Sequence, residues 1–263
     1  MKPTVTELEE ETDRGRSPHS ARTLAVWAVL ATAVFAGFIA LGNWQVHRLA
    51  WKLKLIHDVD TRVHAAPVPA PGPGDWAQIR AGHGQYLHVR LHGTFLNADE
   101  TLVHGTSRLG YGFWVMTPLR TDRGFIVLVN RGYIPASLPG TPQFRSMPRP
   151  QGEVTVTGLL RFSEPGGGFL RPNRPAEGLW YSRDVEAIAA ARGLPADKLA
   201  PYFVDADNEP GRSRWPAGGL TVVRFPNHHL GYAITWYLLA LGTLVAAALV
   251  ARYEWRVRHP PSA

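Results

Sequence analysis

Cysteine is absent from the 263-residue chain. Disulfides, a thiolate nucleophile and cysteine-ligated metals are thereby excluded, although the absence assigns no redox compartment. Common catalytic signatures are missing too: there is no Gly-x-Ser-x-Gly elbow, no Walker loop, no Rossmann glycine fingerprint and no His-Glu-x-x-His. Gly166, Gly167 and Gly168 form a glycine run, but without the following helix and lysine it is a poor phosphate cradle. No internal repeat is present. The formal charge of +7 would suit nucleic acid, yet the basic residues are spread along the chain rather than gathered in one stripe, so no nucleic acid partner is expected.

Charge is also absent locally, from Thr23 to Asn43 and from Leu230 to Val250. About 20 apolar residues cross a hydrocarbon core of roughly 30 Å, and the two runs predict transmembrane helices over 22–45 and 227–251. The first run exceeds a signal-peptide core of about 7 to 15 residues, and the leader before it carries Glu7, Glu9, Glu10, Glu11 and Asp13, unlike a mitochondrial presequence. Both facts favour a retained anchor in a bacterial inner membrane. The leader, 1–21, mixes charges with Pro, Gly and Ser and reads as disordered. Arg14, Arg16 and Arg22 precede the first span, while Arg252, Arg256 and Arg258 open the tail over 252–263. The positive-inside rule then puts both termini in the cytoplasm and the domain over 46–226 in the periplasm; Arg48, Lys52 and Lys54 weaken this vote without reversing it. Ala33, Ala36, Gly37 and Ala40 would let the second span approach the first closely.

The chain from Ala65 to Gly74 is rich in Pro, Ala and Gly and marks a loop or stiff linker. Beyond it, Leu87, Val89 and Leu91 alternate with His88, Arg90 and His92, the pattern of a strand with one buried face. Further strands are expected at Phe113–Leu119, Phe125–Asn130, Val154–Phe162, Tyr202–Asp205 and Leu220–Phe225. One soluble helix is expected from Asp184 to Arg192, capped by Asp184 or Ser182 and stopped by Gly193. The fold class is therefore a membrane protein of α+β type: two transmembrane helices flanking a mostly antiparallel β extramembrane domain, barrel-like or sandwich-like.

Eleven histidines invite a metal reading, but no tight ligand spacing supports zinc, and His88 and His92 read as ordinary surface residues. Asn130, Arg131, Gly132 and Tyr133 end an apolar strand, where they could position a ligand or close a turn with Arg131 paired to a carboxylate. At the mouth of the second span stand His228 and His229, and Trp236 follows the latter by seven positions, within about 20° on the same helical face. Such residues can simply anchor a helix at headgroup level. Alternatively, an intramembrane imidazole can serve as an axial haem ligand, with Arg48, Lys52 and Arg224 near the height of the propionates. Trp44, Arg48 and Lys52 or Trp51 would share one juxtamembrane side of a continuing first helix.

Three segments carry a family resemblance: Gly42-x-Trp44-Gln45-x-x-Arg48-x-x-x-Lys52, Leu128-Val129-Asn130-Arg131-Gly132-Tyr133, and Asn227-x-His229-Leu230-x-Tyr232-Ala233-x-Thr235-Trp236-Tyr237. Together they resemble the surfeit locus protein 1 family over roughly Gly42 to Ala240. The resemblance implies a non-enzymatic assembly factor for haem-copper cytochrome c oxidase, acting on subunit I while haem a is inserted, with haem a synthesis enzymes as further partners beside the lipid bilayer. It makes His229 the haem iron ligand and Trp236 its companion, and it carries Tyr232, Arg48, Trp44, Gln45, Asn130 and Arg131 as motif residues. Tyr133 stands where the family often has Trp. The competing reading is a membrane-anchored periplasmic scaffold or interaction module without cofactor. A haem-modifying enzyme would need redox or proton-transfer residues that the sequence does not display.

Overall fold

The computed structural model describes residues 18–168, 170–208, 214–223 and 225–259. The leader therefore lies almost wholly outside the described residues, as does Arg224. The chain divides into two compact units, one formed by 1–56 with 225–263 and the other by 57–224.

Helix α1 (Ala21–His64), which lies in the first unit except for 57–64, and a second long helix, later in the chain, are both long and apolar enough to cross a membrane. Ser20 caps α1, its hydroxyl accepting from Thr23 N at 3.2 Å. With 44 residues α1 extends about 66 Å at 1.5 Å per residue, more than twice a hydrocarbon core, so it continues past any membrane boundary without a break. The apolar stretch of α1 has no buried residues and that of the second helix only 11%. Apolar surface so exposed would be unfavourable in water and is what lipid requires.

The second unit is a β domain. Its strands are β1 (Val68–Pro69), β2 (His88–Phe95), β3 (Thr101–Ser107), β4 (Gly110–Thr121), β5 (Ile126–Pro135), β6 (Glu153–Phe162) and β7 (Leu199–Ala206). Pairing runs β1-β2-β6-β7-β5-β4-β3, and an additional β2–β4 pairing closes β2, β6, β7, β5 and β4 into a five-stranded barrel. All barrel pairs are antiparallel except β5 with β7. Closure depends on Gly93, which faces Thr121; a Cβ there would lie 2.1 Å from the Arg120 carbonyl oxygen. The barrel-like alternative of the sequence reading is thus the observed one.

The barrel interior is filled by Val89, Leu91, Val127, Val129, Leu160 and Val204, with Trp76 and Ile79 of the short helix α2 (Trp76–Arg80) packed into the same core. Residues of opposite parity on β5, Ile126 and Leu128, belong to a second core with Val185 and Ile188. These last two come from α4 (Val185–Ala191), which follows a one-turn helix α3 (Pro142–Arg145) in the chain. Burial on both faces explains why β5 reads as an unbroken apolar run rather than an alternating one. Asp184 caps α4, accepting from Ala187 N at 3.1 Å, and Gly193 ends it with φ of 65°.

Three expectations require correction. Leu220–Phe225 forms no strand over its described residues, whereas β3 was not foreseen, nor was β1, which lies within the expected Ala65–Gly74 linker. The strand expected to end near Asn130 continues to Pro135. Finally, Ala33, Ala36, Gly37 and Ala40 of α1 are exposed, and the face that packs is the one carrying Phe38, Gly42 and Gln45.

Candidate functional site

The second membrane helix, α5, spans His229–Arg258. Pro226 cannot supply a helical N–H, and Asn227 offers its side-chain oxygen to His229 N at 3.3 Å, so the helix starts at the histidine. His229 Nδ1 donates to Gln45 Oε1 on α1 at 2.8 Å. A carbonyl oxygen can only accept, so Nδ1 carries a proton in this bond, and in the neutral ring the lone pair is then on Nε2. Gln45 itself is 8% exposed, a buried amide with its oxygen committed to the ring. The two-helix contact continues from there. Tyr237 donates its hydroxyl to Asn43 Oδ1 at 2.8 Å, its ring lies against Gly42, and Trp236 stacks on Phe38 with centroids 5.8 Å apart and planes at 28°. A Cβ on Gly42 would come within 2.6 Å of the Tyr237 ring.

The residues singled out from sequence therefore separate into two sets. His229 and Trp236 turn toward α1, where Trp236 is a packing residue. Trp44 and Tyr232 are each 57% exposed and turn away from that seam. Arg48 lies over Trp51 at 4.4 Å, and Lys52 over Phe225 at 5.1 Å, two cation–π contacts at the same end of the hairpin. His228 is exposed and, with Asn227, Gly231, Tyr232 and Thr235, lines a shallow polar recess of about 440 Å³. Gln45 is the functional candidate whose role sequence reasoning did not specify. Its signal was an amide at the end of an apolar run, three residues after the packing glycine.

The Asn130–Tyr133 segment lies in the β domain. Asn130 Nδ2 donates to Asp205 Oδ1 at 2.7 Å, and its own oxygen accepts from Gly132 N at 3.1 Å. Arg131, 2% exposed, donates to Glu100 Oε2 at 3.2 Å and to the Pro148 carbonyl oxygen. Tyr133 is fully buried and pairs through its backbone with Ala217 in both directions at 2.9 Å. Carboxylate pairing of Arg131, one of the two alternatives weighed for it, is the arrangement found. Asp205, not anticipated, is the centre of the network: Arg183 Nη1 donates to Oδ1 at 3.2 Å, while Arg161 Nη1 and Thr221 Oγ1 donate to Oδ2 at 2.9 and 2.8 Å. Burial works against the charge on Arg183, but Asp205 and Glu164 outweigh it and hold its pKa above the ordinary value.

One imidazole in this domain is a double donor. His88 Nδ1 donates to the Ala65 carbonyl oxygen at 2.8 Å and Nε2 to Asp207 Oδ2 at 2.8 Å, which only the protonated ring can do. Burial lowers its pKa, but the carbonyl and the carboxylate more than compensate, and the net direction is upward. Among the described residues, no three His, Asp or Glu side chains converge on a site able to hold a metal ion.

Residues 32–241 match the family described as SURF1 family. The chain is 35% identical to surfeit locus protein 1 of Rattus norvegicus over 219 residues, covering 77% of this chain and 68% of the rat protein. It is 34% identical to surfeit locus protein 1 of Homo sapiens over 234 residues, 82% of this chain and 74% of the human one. A SURF1-like protein of Monosiga brevicollis is 33% identical over 86% of this chain and 87% of its own length. The matched span takes in the first-helix segment, the Asn130–Tyr133 segment and the start of α5, and the chain belongs to the SURF1 family.

Proposed function

We propose that this protein is an assembly factor for haem-copper cytochrome c oxidase, holding haem a through His229 and assisting its insertion into subunit I. Family membership supports the assembly role. The observation that carries the haem reading is the His229–Gln45 hydrogen bond, because it commits Nδ1 as a donor and leaves Nε2 as the one ring nitrogen able to bind iron. A hydrogen bond to the distal nitrogen of a ligand imidazole sets its orientation and tautomer, and Gln45 is the positioning residue for that purpose. Arg48 and Lys52 supply cations for propionates, and Trp44 and Tyr232 offer exposed aromatic faces at the same end of the hairpin. When bound, the haem supplies an iron centre open to further ligation; the protein's part is to hold it by one imidazole and let it go, not to transform it. The acidic leader supports a bacterial inner membrane location, and the flanking arginines support an orientation with both termini in the cytoplasm and the β domain in the periplasm.

A scaffold without cofactor is the second reading, and the packing of Trp236 and Tyr237 against α1 favours it, since those motif residues already have structural work. Absorption spectra of protein purified from cells that make haem a separate the two. The expected result is a Soret band lost in His229→Ala and weakened in Gln45→Leu by a fall in affinity of about 10- to 100-fold. A Soret band that survives His229→Ala overturns the ligand assignment, and absence of haem from the parent protein supports the scaffold.

A further inference from the structure

The two membrane helices touch at two levels and part between them. At one level are the His229–Gln45 bond and the Trp236–Phe38 stack. At the other, beyond the free end of each apolar run, His19 bonds to the Glu254 carboxylate through its ring, and Arg258 Nη2 donates to the His19 carbonyl oxygen at 2.9 Å. Between these clasps lies a cleft of about 820 Å³ whose walls are mainly Leu24, Ala28, Ala31, Ala246, Ala247 and Val250. Trp27 and Trp255 line it near the His19–Glu254 clasp, together with Arg258 and His259.

We propose that this cleft is a binding site for one acyl chain of an anionic phospholipid, whose headgroup is held at the Arg258–His259 end. Because the helices meet above and below, an occupant must enter sideways from the bilayer and be thin and flexible. A hydrocarbon chain meets that demand, and the small side chains of Ala28, Ala31, Ala246 and Ala247 leave it room. Away from the His19–Glu254 clasp the one polar side chain in the walls is Thr243, whose hydroxyl already donates to the Leu239 carbonyl oxygen at 2.9 Å, so water finds few partners there. The headgroup preference follows from charge. Arg22, Arg252, Arg256 and Arg258 cluster at these helix ends with Glu254 as the one acidic residue among the described residues there, and Glu254 is 5% exposed and already paired with His19 and Arg258. His259 stacks on Trp255 at 5.3 Å with its Nδ1 donating to the Trp255 carbonyl oxygen, so the charge that meets the headgroup is that of the arginines. Tryptophans beside arginines at one height are the furnishing of a membrane interface. This site is separate from His229, and its test does not depend on haem.

The experiment is native mass spectrometry of the full chain released from vesicles of phosphatidylcholine and phosphatidylglycerol in equal proportion. One phosphatidylglycerol per chain is expected to remain bound after phosphatidylcholine is lost. Ala247→Phe fills the cleft and should abolish retention, and Ala28→Leu, a smaller filling, should do the same where the phenyl group is not accommodated. Arg258→Gln should keep a lipid but reduce the preference for phosphatidylglycerol by about five-fold, the share of one basic residue at a membrane surface. Retention unchanged by both fillings, or no lipid retained by the parent chain, overturns the proposal. So does a photoreactive group carried at position 28 that captures a polypeptide rather than lipid.

Discussion

Asp205 gathers Asn130, Arg161, Arg183 and Thr221 around one carboxylate that is 4% exposed. Removing one partner of a buried ion pair leaves the others uncompensated, at a cost of about 3–5 kcal/mol. Asp205→Ala is accordingly expected to lower the stability of the β domain by that amount, measured by denaturant unfolding of the detergent-solubilised chain followed through its β-sheet circular dichroism. The Asn130–Arg131 motif was visible in sequence, but its partners were not, because Asp205 and Glu100 lie 75 and 31 residues away and nothing local marks them. His88 makes the same point. Read from alternation as a surface residue, it bridges Ala65 and Asp207 as an imidazolium. Its pKa is raised in the folded chain above 6.5, so the stabilisation it gives is complete below that pH and is lost as pH rises through the folded value. Thermal midpoints of the parent chain should fall relative to His88→Ala as the buffer is taken from mildly acidic to mildly alkaline.

Among the elements, the long apolar runs were legible without ambiguity, since length and lack of charge suffice to define α1 and α5. The face on which they pack was not. Small residues at Ala33, Ala36, Gly37 and Ala40 suggested one side, yet aromatic stacking, an amide–imidazole bond and a single glycine at position 42 determine another. Gly42→Ala tests this: its methyl group would press on the Tyr237 ring and strain the bond to Asn43. The expected loss is about 1–3 kcal/mol, the usual cost of overpacking, read as a lower thermal midpoint in detergent, while Gly37→Ala, with open space around it, should be neutral. In the β domain, alternation found β2 and apolar continuity found β5, but β3 escaped notice. Its sequence, Thr-Leu-Val-His-Gly-Thr-Ser, carries a central glycine and polar ends. The glycine is required because Trp114 lies across it, with the ring 2.3 Å from where a Cβ would sit, and that is a tertiary fact no local pattern reveals.

Taken whole, the chain joins a pair of membrane helices to a barrel of five strands, and the class of this architecture, two apolar helices flanking a mostly antiparallel β domain, follows from hydropathy and alternation. Closure of the barrel through β2 and β4 does not, because it rests on Gly93 having no Cβ to collide with the Arg120 carbonyl oxygen. The same holds for the candidate haem site. His229 could be named from its motif, whereas the chemistry of its ring is decided by a residue 184 positions earlier in the chain. The donor atom and the group that sets its proton thus belong to opposite arms of the hairpin. Neither arm can drift alone: a lesion in the first would be felt as a fault in the second, and only a compensating change across the seam could restore it.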